Sequence, residues 1–276
     1  MKKIDELEYI HVQNSVASAK IALQGAHLFD FQVTGKKKLL FVSESSLFKE
    51  GKPIRGGIPI CWPWFGAHES DSLLPNHGFA RSSLWKHDST EFLSESETKV
   101  RMILEDTPKT YALWPYEFLL TLDVYIGEQL RLVLTTKNED TKPFDITCAL
   151  HTYFEIENIY ETTIDGLEGK KFYNKCNDTL NNIQKGAINF RQEVDRVYMS
   201  VQNDVVIHNR NQDIVIQTEG SGTIVVWNPG KELADKMPDL SGHENMLCVE
   251  SANVMTDVKV LEPQRSFSLT VTLSQN

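Results

Sequence analysis

Apolar and hydroxyl-bearing residues alternate through Phe267-Ser268-Leu269-Thr270-Val271-Thr272-Leu273, which is how a half-buried antiparallel strand reads. Val100-Arg101-Met102-Ile103-Leu104 nearly repeats the pattern. Further β-like runs lie at 118–126, 130–136, 144–150, 205–208, 214–217 and 223–227, most of them bounded by Gly, Asn, Asp or Pro. Gly127-Glu128-Gln129, between two such runs, predicts a hairpin turn. Helical periodicity is almost absent: 108–113 and 231–236 each predict a turn or two, and no internal repeat stands out. The pattern predicts an all-β fold, a large antiparallel β-sandwich. No Pro/Gly/Ser-rich linker divides the 276 residues, so a single domain over 1–276 is the simpler organisation.

Two polar residues interrupt runs that otherwise read as buried strand, His151 in Ala149-Leu150-His151-Thr152-Tyr153-Phe154 and Glu250 in Cys248-Val249-Glu250-Ser251-Ala252-Asn253. Burying either costs a few kcal/mol (roughly 2–7) unless it is hydrogen-bonded or otherwise compensated. An imidazole and a carboxylate so placed are a candidate acid and base if the fold brings the two strands together. Against this stand a structural histidine and a glutamate that alternation turns to solvent. Two segments read as neither strand nor ordinary loop. Lys52 to Gly66 packs three prolines, three glycines and three large aromatics into fifteen residues. Prolines stiffen the backbone, Gly56-Gly57 lets it approach a ligand, and the aromatics offer an apolar wall. The competing reading is a loop plugging one end of the sandwich, with a cis peptide before Pro63 and with Trp62 and Trp64 in the core. Pro75-Asn76-His77-Gly78-Phe79-Ala80-Arg81 again joins a His and an Arg to glycine and an aromatic.

A net charge of −10 opposes a nucleic-acid surface, which needs clustered Lys and Arg to displace counterions. The N-terminus, Met1-Lys2-Lys3-Ile4-Asp5-Glu6, turns acidic without an apolar stretch, and no later segment reads as a membrane span, so a cytoplasmic location is expected. Cys61, Cys148, Cys176 and Cys248 lack CxxC spacing and read as reduced thiols. His68, Asp71 and His77 are close in sequence but lack the spacing of a zinc site, so no metal is expected. Asn177-Asp178-Thr179 matches a glycosylation sequon that carries no weight without a secretory signal.

Taken in order, Arg55-Gly56-Gly57-Ile58-Pro59, His77-Gly78-Phe79-Ala80-Arg81, Leu150-His151-Thr152-Tyr153-Phe154, Asp195-Arg196-Val197-Tyr198, Val226-Trp227-Asn228-Pro229-Gly230 and Cys248-Val249-Glu250 closely resemble the motifs of the hexose-6-phosphate mutarotases, within the aldose 1-epimerase superfamily. The resemblance runs from about Arg55 to Glu250 and rests on the order of six motifs rather than on any one. It implies a galactose-mutarotase-like supersandwich that interconverts the anomers of a phosphorylated aldohexose without a cofactor. Carried over by position, the general acid falls on His151, the general base on Glu250, and substrate contacts on Arg55, Asn76, His77, Arg81 and Asp195. Trp227 and Asn228 then shape the strand end and pocket wall. Asn76 departs from the family, where this position is often Gln, and a shorter amide reaches less far. Asp195 reads almost equally as a turn residue, and either arginine competes with pairing to a carboxylate such as Glu50 or Asp71. With reference pKa values near 4.3 and 6.5, Glu and His meet in complementary states with little tuning. The expected partner is a small phosphorylated sugar, with no nucleic acid or membrane, and a monomer is expected. Two other readings remain open: an aldose 1-epimerase acting on free sugars, and a carbohydrate-binding relative that does not turn over. Retention of both His151 and Glu250 favours an enzyme, and the arginine pair favours a phosphate.

Overall fold

Period-2 alternation becomes sheet wherever one face can leave water, and it does so along almost the whole chain. The computed structural model describes residues 1–210 and 212–276. Among them the sheets are antiparallel, and the only α-helices are Pro108–Leu113 and Gly230–Ala234. One eight-stranded sheet runs in the order Thr163–Asp165, Val205–Asn209, Gln212–Glu219, Ser266–Gln275, Leu130–Asn138, Phe118–Ile126, Thr98–Glu105, Lys86–Phe92. A second runs Thr179–Ile183, Lys171–Asn174, Val194–Met199, Thr223–Asn228, Met246–Asn253, Cys148–Leu150, Ile60–Cys61, and Tyr153–Glu155 also pairs with Met246–Asn253. The N-terminal segment supplies a four-stranded sheet, Lys2–Ile4, Leu7–Gln13, Ala17–Ala22 and His27–Val33.

The apolar positions meet in one large core. Leu120, Leu122, Leu132, Leu134, Leu269 and Val271 of the first sheet join Ile224, Val226, Leu247 and Val249 of the second and Ala19, Ile21 and Phe31 of the third. Fully burying a side chain of this size stabilises by about 1.5–3 kcal/mol, so the alternation that places them inward is also what fixes strand register. The second sheet differs in that its strand Met246–Asn253 is covered on both faces. All eight residues of Met246–Asn253 are buried: Leu247 and Val249 point into the main core, while Cys248 and Ala252 belong to smaller clusters on the opposite side.

The predicted run 118–126 is the strand Phe118–Ile126. The predicted hairpin turn is also there, with Gly127 N–H donating to Gln129 O at 3.1 Å and Ile126 opposite Leu130. The helix Pro108–Leu113 starts where Thr107 caps the Thr110 N–H and Pro108 supplies a preset φ. The run 144–150 is not one strand. Thr147 N–H leaves the ladder for Pro63 O, so that Phe144–Ile146 pairs with Lys259–Leu261 and Cys148–Leu150 pairs with Met246–Asn253. Trp62 is fully buried and Trp64 nearly so, both in the core, and the Trp62–Pro63 peptide is cis.

Candidate active site

Pairing fixes the meeting of His151 and Glu250. Leu150 faces Ser251 on one side and Tyr153 faces Cys248 on the other, and the same register puts His151 opposite Glu250. The ladder is broken at that point: His151 N–H donates to Pro59 O at 3.0 Å and Thr152 N–H to Leu150 O at 2.9 Å. His151 Nε2 lies 3.3 Å from Glu250 Oε1. Both residues are buried, and His151 Nδ1 and Glu250 Oε2 have no hydrogen-bond partner in the protein. Rings hold the imidazole in place: Tyr153 stacks on it at 4.8 Å between centroids and 7° between planes, while Trp227 and His77 meet it edge-on. Small residues, Cys61, Ala149, Val225 and Ala252, lie beside the pair on the face turned away from the main core. That face, not solvent, is where alternation sends Glu250.

Burial sets the electrostatics. It pushes the Glu250 carboxyl well above the usual carboxylate range, Asp195 adds to the rise, and Lys175 and Arg81 oppose it. It also pulls the His151 imidazole well below its usual value, assisted by His77, Arg81 and Arg55. Both groups are thus driven toward their uncharged forms. An ionised glutamate beside a proton-donating histidine, reached with little tuning, is not the resting arrangement, because desolvation penalises each charge. At 3.3 Å the two groups are close enough that the protonation of one bears on the other.

All seven residues singled out from the sequence, His151, Glu250, Arg55, Asn76, His77, Arg81 and Asp195, line one cavity of about 300 Å³. Arg55 donates through Nη1 to Tyr153 Oη at 3.1 Å and pairs with Asp239, not with Glu50 or Asp71, through Nε at 3.1 Å and Nη2 at 2.9 Å. Its loop is clasped from the N-terminal sheet, where His27 Nε2 donates to Gly56 O at 2.8 Å. Arg81 Nη2 donates to Asn76 O at 2.7 Å, so Asn76 gives its carbonyl to the arginine while its residue stays exposed. His77 takes a positive φ of 62° and accepts from Gly66 N–H at Nδ1, at 3.2 Å. Burial and the nearby cations lower its pKa to about 3, so it is neutral with its N–H on Nε2. Asp195 is a strand residue, opposite Trp227, and not a turn residue. Its Oδ2 lies 2.8 Å from Lys175 Nζ, and its Oδ1 is buried without a partner.

Tyr153, Lys175 and Phe65 complete the wall. Tyr153, in the Leu150–Phe154 segment, takes its place in the site by stacking on His151 and accepting from Arg55. Lys175 lies in a polar stretch, Asn174-Lys175-Cys176-Asn177-Asp178, with no pattern to mark it. Trp227 lines the cavity, and Asn228 behind it donates to His243 O and Met246 O, both at 2.9 Å, pinning the strand end.

A buried imidazole and carboxylate in contact, with two arginines at the wall of the same cavity, thus sit on one face of an antiparallel sheet. The chain belongs to the aldose 1-epimerase family, whose model matches residues 8–274. It is 36% identical over 266 residues, 94% of this chain and 87% of the relative, to an Escherichia coli (strain K12) protein named "Putative glucose-6-phosphate 1-epimerase". A Cenchrus ciliaris protein of the same name is 35% identical over 269 residues, covering 93% of this chain and 80% of the relative. Among solved structures, a "putative mutarotase" from Salmonella typhimurium superposes with a TM-score of 0.92 at 30% identity, over 99% of this chain and 92% of that one. The galactose mutarotase related enzyme of Lactobacillus acidophilus, at 12% identity and a TM-score of 0.76 over 98% of this chain and 97% of that one, shares the fold.

Proposed function

We propose that this protein interconverts the α and β anomers of aldohexose 6-phosphates, glucose 6-phosphate foremost. The observation that carries the reading is the buried His151–Glu250 pair, 3.3 Å apart at one wall of the cavity. Mutarotation breaks the bond between C1 and the ring oxygen. A base takes the proton of the anomeric hydroxyl as an acid protonates the ring oxygen, and the open aldehyde turns about C1–C2 and recloses. We assign the base to Glu250 and the acid to His151. Ring opening then starts from imidazolium and carboxylate and ends with a neutral imidazole and a protonated carboxyl. Burial favours that second arrangement, so desolvation helps pass one proton from His151 to the ring oxygen and one from the anomeric hydroxyl to Glu250. Reclosure runs the same transfers backward. Each transfer is typically worth about 10²–10⁴-fold.

Selectivity for a 6-phosphate rests on Arg55 and Arg81 at the cavity wall. Among the described residues, Arg81 has no carboxylate within ion-pairing distance, which leaves a guanidinium ready for phosphate oxygens. Saturation-transfer NMR on the anomeric protons of glucose 6-phosphate and of glucose tests the proposal, with enzyme-dependent exchange expected chiefly in the phosphorylated sugar. Equal or faster exchange in free glucose would instead mark an aldose 1-epimerase of unphosphorylated sugars, and none in either a binding protein.

A further inference from the structure

We propose that Lys175 is a positioning residue of this site, one that neutralises and aims Asp195 so that the His151–Glu250 pair can pass through its charged form. The proposal rests on the mutarotase reading for its consequence but not for its geometry. Lys175 is tied to Asp195 twice, through Nζ to Oδ2 at 2.8 Å and through its backbone N–H to Asp195 O at 2.9 Å. Its ammonium also lies 5.8 Å from the centre of the Phe65 ring. Held this way, the Asp195 carboxylate turns its other oxygen inward, buried and unpartnered.

Asp195 and Glu250 share one face of one sheet. Asp195 pairs with Trp227, Trp227 with Cys248, and Val225, two residues before Trp227, with Glu250. Side chains alternate along strands, so Asp195, Trp227, Val225 and Glu250 all face the cavity. Without Lys175, the cavity would hold an uncompensated Asp195 carboxylate on the same face as Glu250, and like charges sharing a site disfavour ionisation of the second. The other groups facing Glu250 are His151 directly, Arg81 and Arg55 from the two loops, His77, Tyr153 and the thiols of Cys248 and Cys61. Of these, Arg81 alone joins Lys175 in drawing the Glu250 proton off. Lys175 thus acts through Asp195 and through space, with no need to touch the reacting atoms.

The test is carried out first on the free protein, so that it does not depend on turnover. Carboxyl ¹³C NMR of glutamate-labelled protein, with Glu250 identified by its loss in Glu250→Gln, follows the carboxyl through pH in wild type, Lys175→Met, Lys175→Arg and Lys175→Met/Asp195→Asn. The Glu250 titration is expected to rise by about half a pH unit or more in Lys175→Met, to stay in place in Lys175→Arg, and to return toward wild type in the double variant. The pH profile of kcat for glucose 6-phosphate should move in the same direction. An unmoved Glu250 titration in Lys175→Met overturns the proposal whatever the activity. So does a rise in KM for glucose 6-phosphate alone with kcat and its pH profile unchanged, which would make Lys175 a phosphate contact. Mutarotation absent from the wild type would fail the functional reading and leave the NMR result standing.

Discussion

At the scale of the residue, the cavity contains polar groups whose burial only chemistry or a ligand justifies. His151 Nδ1, Glu250 Oε2 and Asp195 Oδ1 are all buried and unpartnered, and an unsatisfied polar group costs about 1–3 kcal/mol. Replacing His151 with Ala or Glu250 with Gln is expected to slow mutarotation by roughly 10²-fold or more while the fold persists, since each removes one proton-transfer partner. Turnover near wild type in either variant, with thermal melting unchanged, would remove the pair from the chemistry. The arginines act differently. A phosphate remote from C1 makes similar contacts in ground and transition states, so Arg55→Ala and Arg81→Ala should raise KM for glucose 6-phosphate more than they lower kcat. With a charge-assisted hydrogen bond worth about 1.5–3 kcal/mol, kcat/KM should fall about 10–100-fold. Activity on glucose should barely change, and steady-state kinetics on both sugars checks this. Arg55→Ala additionally leaves Asp239 without its partner, so Arg81→Ala is the cleaner of the two.

At the scale of the element, strands were legible because alternation is a local signal, and the site was legible only through the order of its motifs. Phe118–Ile126 falls on the predicted strand run 118–126, and the short helix Pro108–Leu113 where a turn or two is expected. The run 144–150 misled because both of its halves are apolar strands. Only Thr147 bonding to Pro63, far away in sequence, reveals that they serve different sheets. Lys175 and Asp239 were invisible for the same reason: each becomes informative through a partner, Asp195 or Arg55, that the chain places far from it. Alternation also could not say that the strand holding Glu250 is covered on both faces. Gly78 is an element-scale device that the sequence flagged only as part of a motif. At φ +69°, an added Cβ would lie 1.9 Å from Trp62 O, a backbone atom that cannot yield cheaply. Gly78→Ala should destabilise by about 2 kcal/mol or more, lowering the thermal midpoint by about 4 °C or more. Because His77 precedes it, mutarotation assayed well below the midpoint should fall as well. A midpoint within a degree of wild type would show that the segment relaxes freely.

At the scale of the molecule, buried neutral histidines set the acid limit of stability. His27, with Nε2 bound to Gly56 O and Nδ1 unpartnered, has its pKa lowered to about 4 by burial. An unfolded imidazole takes up a proton near pH 6.5, while folded His27 stays neutral to about 4, so between those values the unfolded state binds more protons. Its contribution is therefore intact above pH 6.5 and lost as pH falls toward 4, at about 1.4 kcal/mol per unit, or about 3 kcal/mol in all. His77 and His151 act in the same direction. Glu250, with a raised pKa, acts oppositely, favouring the fold at low pH and losing that contribution as pH rises from 4.5 through its folded value. His208, raised by Asp165 and Asp213, also favours the fold below its unfolded pKa, but it is partly exposed and its effect is small. Denaturant melts from pH 7 to 4 should show a steep loss that His27→Gln, which keeps a donor for Gly56 O, makes shallower. An unchanged slope would mean that the histidine is already charged in the folded protein.

The cross-strand placement of His151 and Glu250 reaches beyond how fast the ring opens. In the proposed mechanism, two buried side chains in contact, holding one proton between them, form a closed circuit: what the glutamate takes from the anomeric oxygen it gives back, and what the histidine lends to the ring oxygen returns to it. Each passage ends with the site as it began, ready for either anomer from either direction. Such a catalyst needs no visit from bulk water or buffer between turnovers, and its two directions are equally prepared.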